Sequence, residues 1–210
     1  MSSYKTQNKE SQSAITPDEV ISMLREGNER FVNKGSLERD HIEQVTITSK
    51  GQFPFAIIHG CIDSRVPVEH IFDLGLGDVF TSRIAGNIIN EDILGSMEFA
   101  CAAAGAKAII IVGHTKCGAI RGACDHVKLG NLTGLLKKIE PVIDSLKDKY
   151  EDLSSANDAF FNDVIKENVY HSVNLIRQKS SILSTLEQEN KIKIVGALYN
   201  VDNGSVTFLP

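Results

Sequence analysis

The sequence predicts an α/β fold. It reads as a single domain with a central, mostly parallel β-sheet of about four parallel strands plus a C-terminal antiparallel edge strand. Helices flank the sheet, and a helical arm precedes it at the N-terminus. Three observations lead there. Short apolar runs at 53–60, 78–83 and 107–112 alternate with stretches of helical spacing, the pattern of strand–helix–strand units. The run Ala108-Ile-Ile-Ile-Val112 is apolar on both faces, as in a strand covered by helices on each side. Near the C-terminus, Asp202-Asn203-Gly204 separates two apolar runs, as in a hairpin. A length of 210 residues suits one domain with a sizeable core.

Along the chain, residues 1–15 are rich in Ser, Lys, Gln and Asn and are expected to be disordered. Met1 to Ser13 carries no apolar segment of the kind a signal peptide needs. Thr16-Pro17-Asp18-Glu19 is a helix start, with Thr16 as N-cap, Pro17 at the first helical position and Glu19 closing a capping box. The following stripe, Val20, Ile21, Leu24 and Phe31, needs cover from the core or from a partner subunit. Residues 35–52 form a polar connection with one short helix.

Phe53 to Gly60 is a buried strand ending at Cys61, and Pro67 to Phe72 a short helix. Asp78 to Arg83 is the next strand. Asp92 to Ala104 has helical spacing at Ile93, Leu94, Met97 and Ala100. Lys107 to Val112 is a strand leading to His114, and Cys117 to Ala123 opens a helix. From Leu132 to about Leu186 the chain is helical, with a stripe at Phe160, Val164, Ile165, Val169, Val173 and Ile176. Ile192 to Tyr199 and Ser205 to Leu209 form the closing hairpin.

With 22 basic and 27 acidic residues the net charge is −5, which gives no electrostatic case for nucleic acid or an anionic membrane. The longest apolar run, Ala106 to Gly113, is too short to cross a bilayer. Four cysteines without a paired pattern fit a reducing cytoplasm and metal binding.

The chemistry concentrates in Cys61-Ile-Asp-Ser-Arg65 and His114-Thr-Lys-Cys117. Two thiolates and one imidazole make a three-ligand zinc set, and three protein ligands leave one position for water or substrate. Asp63 is placed to orient that water or to compete with it, and Arg65 to hold the Asp63 carboxylate in a bidentate pair. Cys61 and His114 both follow C-terminal ends of predicted parallel strands, where open α/β sheets place their ligand sites. Cys117 is expected one helical turn from His114, on the same face. Two other readings compete: a structural zinc site with Cys101 or Cys124 as fourth ligand, and ordinary buried cysteines.

These two segments, with Asp78-Val-Phe-Thr-Ser-Arg-Ile-Ala-Gly-Asn87 between them, resemble the β-class carbonic anhydrases from about Pro17 to Gly204. The resemblance implies one zinc per chain on Cys61, His114 and Cys117. It implies reversible hydration of carbon dioxide to bicarbonate and a proton through a zinc-bound hydroxide, with the Asp63–Arg65 dyad orienting that nucleophile. A closed form in which Asp63 is a fourth ligand belongs to the same family. Gln52, Phe80, Phe99 and Gly118 match positions that meet substrate, although plain core packing is the simpler reading of both phenylalanines.

The resemblance further implies a homodimer or higher homo-oligomer such as a tetramer. Residues 1–34 would then be a tail and arm that packs on the partner subunit, and residues 35–210 the zinc-binding catalytic domain. The chain departs from the family in two places. Gly118 is followed by Ala119 rather than a second Gly. Ile58 stands where bicarbonate-regulated members have Trp, and the chain has no Trp, so that regulatory site is not expected despite Arg83 and Tyr199. Carbon disulfide and carbonyl sulfide remain alternative substrates for the same chemistry. His59, His70 and His126 lie near the motifs, but none is assigned as a proton shuttle.

Overall fold

The computed structural model describes residues 5–210. Of the tail expected to be disordered, residues 1–4 lie outside the described residues. The rest of that expectation is corrected by helix α1, Lys9–Ala14. The Asn8 side chain accepts hydrogen bonds from the backbone N–H of Glu10 and Ser11, both at 2.9 Å. The buried Gln12 amide donates to the carbonyls of Pro54 and Ala104, each at 2.8 Å. Composition could not reveal this order, because it comes from two tertiary hydrogen bonds rather than from apolar burial.

Helix α2, Pro17–Val32, begins as the capping box predicts: the Glu19 carboxylate accepts from Thr16 N–H at 2.8 Å and Thr16 Oγ1 accepts from Glu19 N–H at 3.3 Å. Val20 and Leu24 are buried in a cluster of this same chain with Ile58, Phe72, Ile110 and Val112. Helix α3 is His41–Thr48. Asp73 ties this N-terminal region down: Arg30 Nε and Arg39 Nη1 each donate to its carboxylate at 2.6 Å.

The core elements follow in order. They are β1 (Ala56–Gly60), α4 (Val68–Ile71), β2 (Val79–Arg83), α5 (Glu91–Glu98), β3 (Ala108–His114) and α6 (Gly118–Cys124). Then come α7 (Gly130–Leu136), α8 (Glu140–Leu146), α9 (Asp158–Lys179), α10 (Ser181–Gln188), β4 (Lys193–Tyr199) and β5 (Val206–Phe208). The sheet order is β2-β1-β3-β4-β5. The first four strands are parallel and β5 pairs antiparallel with β4, as the sequence predicts. β1 and β3 are buried along their whole length, in keeping with runs that are apolar except for His59 and the terminal His114. Helices α2 and α4 cover one face of the sheet, and α5, α9 and α10 the other.

Two details bear on the site. Helix α9 sits very close to β3 and β4, because both strands offer glycine there. A Cβ on Gly113 or Gly196 would meet a Val169 methyl at 2.5 or 2.6 Å. The helix expected over 92–104 is not uniform. After Glu98 the turn widens over Phe99–Ala103, and Ala104 N–H donates to Phe99 O at 2.9 Å, an i to i+5 bond. The widened turn leaves Phe99 57% exposed, which corrects the core-packing reading of that residue.

Candidate metal centre

The parallel register puts the ends of β1 and β3 side by side, with Gly60 opposite Val112. Cys61 is the first residue after β1, and His114 is the last residue of β3. A separation of 53 positions in sequence becomes contact in space by strand pairing alone. Cys117 arrives differently from the expectation. It is the N-cap of α6, extended at φ −66° and ψ 119°, and the chain reverses through Lys116 at φ 58°. A left-handed turn, not a helical face, therefore returns the second sulfur to the imidazole.

Cys61, His114 and Cys117 are all buried, and their ligand atoms lie within 4.8 Å of one another. The two sulfurs are 4.0 Å apart. Two thiolates on one tetrahedral zinc stand roughly 3.8 Å apart for Zn–S bonds of about 2.3 Å, so the spacing fits zinc. His114 Nδ1 donates to the Thr115 carbonyl at 3.0 Å, which leaves the lone pair on Nε2. That buried Nε2 has no hydrogen-bond partner. A buried acceptor without a donor is costly, and a cation at this point resolves it. Cys101 and Cys124, the candidates for a fourth ligand, lie outside the group. Burial pushes their thiols up, to about 12 and about 11, as expected of inert core cysteines.

The sulfurs are electrostatically distinct. The Cys117 thiol donates a hydrogen bond to Cys61, which outweighs burial and takes Cys61 down to about 4. The same bond, with burial, pushes the Cys117 thiol up. A dication between them would reinforce the fall at Cys61 and oppose the rise at Cys117, and so hold both as thiolates.

Asp63 lies beside this group. Arg65 Nε and Nη2 donate to its two oxygens at 2.9 and 2.8 Å, and Arg65 N–H donates to Oδ1 at 2.9 Å. The Arg65 hydrogen bonds take the Asp63 carboxyl down to about 2, against the opposing effect of burial. Both oxygens of the Asp63 carboxylate are thus engaged by Arg65.

The sequence reading missed two supports. Arg83, at the end of β2, donates from Nε to Cys61 O at 2.8 Å and from Nη2 to Asp63 O at 2.5 Å, clamping the loop that carries both residues. Gly86 N–H donates to Cys61 Sγ at 3.4 Å. Gly86 has φ 68°, a conformation that favours glycine, in the short 3-10 turn Ala85–Asn87. In the sequence Arg83 matches only a position of the bicarbonate-regulated members, and its place on an edge strand carries no signal of a carbonyl clamp.

The remaining sequence candidates are not gathered here within one chain. Phe80 and Phe99 stack edge to face, 5.9 Å between centroids. They line an open cleft of about 690 Å³ along the unpaired edge of β2 with Ile57, Ser82 and Gly95. Phe80 pairs with Ile57, four residues before Cys61 on β1, so it sits on the order of 13 Å down the sheet from the metal position. Gln52 is exposed in the loop before β1. Gly118 opens α6 with free space around its Cα, and Ala119 directs its methyl toward Gly86. His59 is fully buried, held between Ser82 Oγ and Ile88 O, and burial pushes it down to about 4.

A buried Cys-His-Cys set at the C-terminal edge of a parallel sheet, beside an arginine-held carboxylate, defines a zinc enzyme. Comparison with known proteins agrees. The family model for carbonic anhydrase matches residues 56–206. Carbonic anhydrase 2 of Mycobacterium tuberculosis is 35% identical over 184 residues, covering 86% of this chain and 87% of that protein. The β-carbonic anhydrase CafA of Aspergillus fumigatus superposes with a TM-score of 0.74 at 29% identity, covering 90% of each chain. One of two tetrameric β-carbonic anhydrases from Sordaria macrospora shares the fold, with a TM-score of 0.71 at 21% identity over 91% of this chain and 97% of that one. The chain belongs to the carbonic anhydrase family, in its β class, and is thus a zinc-dependent enzyme of carbon dioxide hydration.

Proposed function

We propose that Cys61, His114 and Cys117 hold the zinc and that Asp63 and Arg65 are the catalytic pair in reversible hydration of carbon dioxide to bicarbonate and a proton. The observation that carries this is the unpartnered His114 Nε2 facing two sulfurs, with Asp63 Oδ2 4.0 Å away. Zinc held there supplies Lewis acidity, which lets water lose a proton near neutral pH. Asp63, kept ionised by Arg65, accepts the remaining O–H of the nucleophile and turns its lone pair toward the substrate carbon. Arg83 fixes the loop so that Asp63 and Cys61 keep a common frame.

Gln52, Phe80, Phe99 and Gly118 are assigned to substrate: an amide donor for one oxygen and apolar walls for a small uncharged molecule. Since Phe80 and Phe99 line an open cleft remote from their own metal group, this assignment has them and Gln52 serve the site of a second subunit. A homodimer or tetramer is therefore part of the proposal, with the arm of residues 1–34 offering the partner the face that Gln12, Val20 and Leu24 do not bury in this chain. The tetrameric assembly of the Sordaria macrospora enzymes supports it. A cytoplasmic location is proposed on the four free cysteines, two of which must stay reduced to bind zinc.

The test is stopped-flow carbon dioxide hydration from about pH 6.5 to 9, with metal content measured on the same sample. About one zinc per chain and activity rising on the alkaline side support the proposal; zinc without hydration at any pH refutes it. Sharing between subunits is read by co-expressing Cys61→Ser with Gln52→Ala. Mixed dimers regain activity if Gln52 serves the partner's zinc and stay inactive if it serves its own.

A further inference from the structure

Buried polar side chains on an apolar helix face need partners, since each unpaired one costs about 1–3 kcal/mol. Helix α9 carries two, Asn168 and Ser172, within the buried stripe Val164, Ile165, Val169 and Val173. Both reach the same turn. Asn168 Nδ2 donates to Gly86 O at 2.9 Å, and Ser172 Oγ donates to Asn87 O at 3.2 Å. Gly86 and Asn87 are consecutive left-handed residues, at φ 68° and 43°, a region that glycine adopts freely and asparagine more readily than most residues. The N–H of Gly86 is the group that donates to Cys61 Sγ.

We infer that Asn168 is a positioning residue for the metal site: by holding the Gly86 carbonyl it fixes the backbone of Gly86, so that the N–H of the preceding peptide points at the Cys61 sulfur. This rests on the zinc reading of Cys61, His114 and Cys117. A hydrogen bond to a thiolate draws electron density from the sulfur, so zinc receives less charge and stays the stronger Lewis acid. Asn168 is itself well placed to do this, because its neighbour Val169 is lodged against Gly113 and Gly196. A side chain that only satisfied a buried carbonyl would leave the electronics of the sulfur unchanged.

The test uses the full-length protein loaded with a spin-active cadmium isotope or with cobalt(II). In the wild type, a scalar coupling between the Gly86 amide proton and cadmium, transmitted through the Cys61 sulfur, is expected. Asn168→Ser loses that coupling and shifts the sulfur-to-cobalt charge-transfer band to the red. Asn168→Thr does the same in a better-filled site. Ser172→Ala, which leaves the Asn168 bond intact, changes neither. Absence of the coupling in the wild type, or an unchanged coupling and band in both Asn168 variants, overturns the inference. Cadmium that couples to none of Cys61, His114 and Cys117 overturns the zinc reading instead.

Discussion

Asp63 Oδ2 and His114 Nε2 face each other at 4.0 Å, too far for a hydrogen bond and close enough for one group placed to the side to touch both. Arg65 fixes one side of this gap and the Thr115 carbonyl the other. Asp63→Ala should therefore retain zinc while turnover falls by about 100-fold or more, the scale of losing one oriented hydrogen bond in an active site. Parallel loss of zinc on this substitution would make Asp63 a resident ligand instead.

The ligand set makes a sharper claim. Cys117→Ser or His114→Ala should lower bound zinc and activity together, because each removes one of three donors around the same point. Chelator treatment of the wild type should abolish hydration, and added zinc should restore it. Metal content by atomic absorption, followed alongside the rate, checks both.

Arg83 joins the carbonyls of Cys61 and Asp63 rather than the metal-facing side chains. Arg83→Ala should weaken zinc retention by about 10–100-fold, the range seen when supports of a metal site are removed. Competition with a fluorescent chelator measures it. Wild-type affinity in this variant would mean that the loop needs no clamp.

Stability at acid pH should depend on Asp73. Burial opposes its ionisation, yet hydrogen bonds from Arg39, Arg30 and the Leu37 N–H hold its pKa below the ordinary 3.8. A lowered native pKa means a contribution fully present above about pH 4 and lost as pH falls through the native value. Asp73→Ala removes the carboxylate that Arg30 and Arg39 both engage and should cost about 3 kcal/mol at pH 7. Denaturant unfolding at pH 7 and at pH 3 should show the gap to wild type narrowing at the lower pH.

Much of this molecule was legible in its sequence. Nearly continuous apolar runs marked β1 and β3, because a strand covered on both faces has no polar side to alternate. Thr16 and Glu19 marked the start of α2, because capping is a local event. The residue types at 61, 63, 65, 114 and 117 announced zinc chemistry, because few other tasks call for two thiols, an imidazole and an ion pair in that order. What the tertiary structure decided were relations that no local pattern encodes. Strand register set Cys61 beside His114, and a left-handed Lys116 returned Cys117 to them. Gln12 ordered a polar segment through two distant carbonyls. A widened turn exposed Phe99, and α9 carried Asn168 to Gly86. Each depends on where separate segments meet, which is fixed by packing of the whole sheet and its helices rather than by the neighbours of any one residue.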